Sequence, residues 1–195
     1  MKLPIFIKQV LPFLFLFSLM IFVTIIIDYI LHYYHLVFIG RYLGLMGTCI
    51  IVFSFVYSLR KRKIIQSGSP KDLLMMHEYL AWIGSVLILV HAGIHFNALL
   101  PWLATFMLLI NVASGLVGKF LFKKASMVLN AKRQDLMALG MSIEEVDRKL
   151  FFDIITVDAM KKWRIVHLPI AFTLGILSIL HIISILIFKI LYFFK

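Results

Sequence analysis

The chain has 195 residues, of which 63% are hydrophobic and only 15% charged, with a formal net charge of +11. A soluble domain is about 45–50% apolar and about 25% charged, so the composition excludes an ordinary water-soluble protein. The basic excess flanks apolar runs and forms no groove with interleaved aromatics, which argues against a nucleic-acid partner.

Five stretches reach the roughly 20 apolar residues that cross a hydrocarbon core of about 30 Å. Only helices and closed barrels satisfy their backbone in lipid, and the alternation of a barrel strand is absent. The expected fold is therefore all-α, an integral membrane bundle of five transmembrane helices in one domain over residues 1–195. Its natural partner is the lipid bilayer.

The first span covers about 11–30, after Lys2 and Lys8. It has no small-residue cleavage site and reads as an uncleaved anchor. The second covers about 37–58 and is followed by the basic run Arg60, Lys61, Arg62 and Lys63. The third covers about 74–96 and the fourth about 102–122, entered through Pro101. A polar link of about 123–164 follows. There Gly140 ends one short amphipathic helix, and Ser142 with Glu145 opens another through a capping box. The fifth span covers about 166–188, and "FKILYFFK" extends it toward a partner surface.

Of the 20 Lys and Arg residues, all but Arg41, Lys189 and Lys195 fall on one side of these spans. The positive-inside bias places the N-terminus inside and the C-terminus outside.

The third span contains "HEYLAWIGSVLILVH", from His77 to His91, and the fifth "HLPIAFTLGILSILH", from His167 to His181. The spacing of fourteen is nearly four helical turns in both. Each pair thus lies on one helix face, its members about 21 Å apart along the axis. Two spans separated by one other run parallel. His77 then meets His167 near the inner side, and His91 meets His181 near the outer side. Two facing imidazoles can hold an iron porphyrin between them, so the expected cofactors are two haem b groups. Gly84, midway between His77 and His91, would give room to porphyrin edges. A lone histidine in a span is more often a packing residue held by a hydrogen bond. Four in matched pairs favour ligation. Zinc needs three or four protein ligands at one point, and each couple supplies two. His95 also shares the face of His77 and is the alternative outer ligand.

This pattern resembles the membrane di-haem b cytochromes, which include the cytochrome b of quinol–cytochrome c reductases and the membrane domains of ferric reductases and NADPH oxidases. The resemblance spans about 76–186 and is carried by His77, Gly84, His91, His167 and His181. "WRIVHLPI", from Trp163 to Ile170, is similar to a motif of small bacterial cytochrome b subunits. The sequence carries no Gly-rich dinucleotide fingerprint and a single cysteine, Cys49, hence no cysteine-held cluster.

The resemblance implies a membrane cytochrome b subunit, in a bacterial or archaeal cytoplasmic (inner) membrane. It would pass electrons between quinone (menaquinone or ubiquinone) and a cytochrome c or iron–sulfur subunit of a larger respiratory or extracellular electron-transfer complex. Arg41 and Arg164 would then meet haem propionates. Asp28, His32, Tyr33, Tyr34, His35 and His95 at the outer end, and Asp72 and Glu78 at the inner end, are the polar residues open to quinone chemistry. A transmembrane ferric or metal reductase fed from the cytoplasm stays open as an alternative. So does a haem-free scaffold or transporter whose histidines relay protons.

Overall fold

The structure, a computed structural model, describes residues 5–94, 98–117 and 123–193. Among these the regular structure is entirely helical. In chain order come α1 (Ile5–Tyr33), a 3₁₀ turn (Val37–Ile39), α2 (Gly40–Ser54), α3 (Val56–Lys61) and α4 (Pro70–Ile94). Then follow α5 (Leu99–Leu116), α6 (Lys123–Ala138), α7 (Ile143–Lys149) and α8 (Phe151–Phe193).

Five stretches are long and apolar enough to cross a membrane: Leu11–Tyr33, Val37–Lys61, Pro70–Ile94, Leu99–Leu116 and Ile165–Phe188. The all-α class and the five spans match the sequence expectation, the starts at 11 and 37 and the end at 188 unchanged and the other described boundaries moving by a few residues; the expected ends at 96 and 122 lie outside the described residues. The protein is thus an integral membrane protein of helices. Exposed side chains along the spans are mainly Phe, Ile and Leu, the surface that lipid tails cover.

Three helix ends close in the same way. At the end of α1, Leu36 N–H reaches back to Leu31 O and His35 N–H to His32 O, with His35 at φ 56. At the end of α3, Ile64 N–H bonds Leu59 O and Lys63 takes φ 61. At the end of α6, Met141 N–H bonds Leu136 O around Gly140 at φ 81. In this motif a left-handed residue turns the chain so that the last carbonyls find donors. Only Gly140 announces itself in the sequence. His35, expected among the polar groups of a span end, here closes α1.

Contacts divide the chain into two compact units. One holds residues 1–18 and 113–170, the other residues 19–112 and 171–195. In the first, Ser142 caps α7: its hydroxyl accepts from Glu145 N–H, and Glu145 accepts from Ser142 N–H. That is the capping box read in the sequence. Ion pairs Lys132–Asp153, at 2.6 Å, and Arg133–Asp147 tie α6 to α8 and to α7. Val146 and Leu150 are buried beside these ties.

The fifth span starts where expected but belongs to a longer helix. Nothing between Phe151 and Val166 breaks a helix, so α8 begins at Phe151 and runs for 43 residues, about 65 Å. The last third of the expected link is therefore the first part of the same helix.

In the second unit, α2 and α4 form the most extensive helix pair. The second span is interrupted at Phe55, where α2 hands over to α3.

Candidate functional site

The site is built on the α2–α4 pair. Gly40, Gly47 and Ser54 stand seven residues apart, as do His77, Gly84 and His91. The two helices run antiparallel, and the two series meet one to one: Gly40 with His91, Gly47 with Gly84, Ser54 with His77. At the centre the backbones touch. A Cβ on Gly47 would lie 2.7 Å from Gly84 O, and one on Gly84 would lie 2.9 Å from Gly47 O. Small residues permit such an approach between membrane helices. This corrects the expectation for Gly84. The space beside it is filled by Ile50, Ile51 and the Gly47 carbonyl, so Gly84 serves helix packing and leaves no room for a porphyrin edge.

His91 donates from Nδ1 to Gly40 O at 2.8 Å. A carbonyl can only accept, so the proton sits on Nδ1 and Nε2 carries the lone pair. Its ring lies flat over Gly44, where a Cβ would come within 2.6 Å of His91 Cδ2. His181 stands near it, with ring centroids 6.5 Å apart and planes at 59°. The outer couple expected from the sequence is therefore a close pair in the structure.

His77 is held by Ser54 through two atoms. Its Nδ1 lies 3.1 Å from Ser54 O and 3.1 Å from Ser54 Oγ. The interruption at Phe55 makes the carbonyl accessible. Ser58 N–H, which a regular helix would direct to Ser54 O, bonds Phe55 O instead at 2.8 Å. The fully buried Ser54 hydroxyl donates its one proton to Ile51 O at 2.6 Å. Toward His77 it therefore accepts, as the carbonyl does, and the proton of His77 also sits on Nδ1. Tyr57 stacks on the His77 ring at 5.7 Å, and Phe55 lies 6.5 Å away.

His167 belongs to the first unit. Its Nδ1 shares a 2.5 Å hydrogen bond with the hydroxyl of Ser114, which is buried. Gly115 lies beside it, a Cβ there standing 3.6 Å from His167 Cε1. His77 belongs to the second unit.

The remaining predicted residues scatter. The Asp28 carboxylate packs over Gly93, and its Oδ1 is 3.6 Å from His32 Nδ1. Glu78 is half-buried one residue beyond His77, and Arg41 is exposed at the start of α2. His95 and the Arg164 side chain lie outside the described residues. Among the described residues, no three His, Cys, Asp or Glu side chains converge as a metal site.

Sequence reasoning missed Gly40, Gly44, Ser54 and Ser114. A signal existed for the first and third. Gly40 and Ser54 repeat the fourteen-residue spacing of the histidines on the neighbouring span.

Searches against protein-family models, curated proteins and solved structures find no match to this chain.

Proposed function

We propose that this protein is a membrane cytochrome b subunit that binds two haem b groups and carries electrons across the bilayer, between quinone and a redox partner. The observation that carries the reading is the His91–His181 pair. Two imidazoles brought this close from different helices would be able to hold one iron porphyrin between them, which would supply one-electron chemistry there. The rings stand 6.5 Å apart.

The hydrogen bonds of the site support the same reading. Metal-binding histidines nearly always donate their second ring N–H to a carbonyl, carboxylate or water, which fixes the tautomer and raises ligand basicity. His91 and His77 do this with Gly40 and Ser54, which would leave Nε2 of each to hold a metal. His167 has Ser114 at the corresponding atom. His91 with His181 would hold one haem, and the fourteen-residue spacing in the sequence assigns His77 and His167 to the other. When bound, the haems supply one-electron chemistry inside a layer that ions do not cross. The chain contributes four imidazoles, three of them tied at Nδ1 by hydrogen bonds.

An optical spectrum of the detergent-purified, haem-supplied protein tests this. Dithionite reduction is expected to give a b-type α-band, and haem extraction two haems per chain. A chain that takes up no haem would sink the reading in favour of a scaffold or proton relay. Assays with quinol and with ferric chelates then separate a quinone-linked subunit from a metal reductase.

A further inference from the structure

We infer that Ser54 is a positioning residue for His77 and tunes the electron affinity of the single haem that His77 would ligate. The inference rests on the haem reading above but has its own test.

His77 is met at Nδ1 by two oxygens of one residue, the carbonyl and the hydroxyl of Ser54, each at 3.1 Å. Both arise from the same local event. At the interruption at Phe55, Ser58 N–H bonds Phe55 O, which leaves the Ser54 carbonyl open to His77. The hydroxyl is locked as an acceptor by its bond to Ile51 O. Two acceptors on one N–H draw the proton further from Nδ1 and leave the imidazole more electron-rich at Nε2. A more basic axial ligand favours ferric over ferrous iron, which lowers the midpoint potential. The residue is buried, so water does not replace the lost oxygen when the hydroxyl is removed.

Ser54→Ala keeps the carbonyl and deletes the hydroxyl. Redox titration of the holoprotein is expected to move one haem upward in midpoint potential and leave the other in place, with two haems still bound. Ser54→Cys, nearly the same shape with a weaker acceptor, is expected to fall between the two. A Ser54→Ala titration with both midpoints at their wild-type values would overturn the inference, as would equal shifts of both.

A second readout does not need haem. In haem-free protein with ¹⁵N-labelled histidine, the His77 ring is expected to carry its proton on Nδ1 and to shift toward a tautomer mixture in Ser54→Ala. A ring protonated at Nε2 would overturn the assignment of Ser54. A chain with the expected tautomer that never binds haem would instead overturn the functional reading and leave the Ser54–His77 tie standing.

Discussion

The rings of His91 and His181, on α4 and α8, lie with centroids 6.5 Å apart and planes tilted by 59°. They come from residues 90 positions apart in the chain, and the pair lies within one compact unit. If one metal ion joins them, the two residues are one ligand set. His91→Ala and His181→Ala are each expected to lower haem content from two to one per chain and to erase the same component of the reduced spectrum. Loss of different components would break the pairing.

His77→Ala and His167→Ala form the complementary test. Each is expected to remove the other haem and to stop transmembrane electron transfer in proteoliposomes. If His77→Ala and His181→Ala erased the same component, the parallel arrangement of the third and fifth spans would be wrong.

Two glycines should separate space from helix propensity. A Cβ on Gly44 would press into the His91 ring at 2.6 Å, whereas nothing lies within 4 Å of a Cβ on Gly175. Gly44→Ala is expected to displace His91 and halve the haem content. Gly175→Ala should keep both haems and add roughly 1 kcal/mol of helix propensity. Haem stoichiometry and thermal unfolding of the two variants, measured side by side, check this.

Lys63 holds a left-handed conformation at φ 61 without being glycine. A left-handed L-residue carries roughly 1–2 kcal/mol of steric penalty, which glycine avoids. Lys63→Gly is expected to raise the unfolding temperature, provided the basic flank is otherwise kept. A lower unfolding temperature would count against the left-handed cap at the end of α3.

Removing the α7 cap gives a local effect. Ser142→Ala deletes the acceptor for Glu145 N–H, a change worth about 0.5–2 kcal/mol at a helix start. Hydrogen exchange is expected to quicken in residues 143–149 and to stay unchanged in α4.

The five spans were legible because hydropathy alone places them, lipid being a uniform solvent that demands long apolar helices. The stop at Gly140 and the cap at Ser142 were legible because each depends on one residue type with a local reason. The left-handed ends at His35 and Lys63 were not. Their conformation follows from where the chain must turn, and neither residue signals it. Gly84 was misread because its face was correct but its neighbour was not: α2, not a cofactor, fills the gap. Ser54 was hidden for a related reason. A serine in an apolar span commonly bonds its own helix, and Ser54 does bond Ile51 O. Its second role exists only because the helix breaks at the next residue.

The seven-residue match between α2 and α4 also makes chain length itself a constraint. An α-helix turns 100° and rises 1.5 Å per residue. One residue inserted between Gly44 and Gly47 would keep Gly40 under His91 but rotate Ser54 away from His77. One residue deleted there would rotate it the opposite way. The second span thus acts as a ruler with a mark near each end, and an altered spacing would release one histidine while the other stays held.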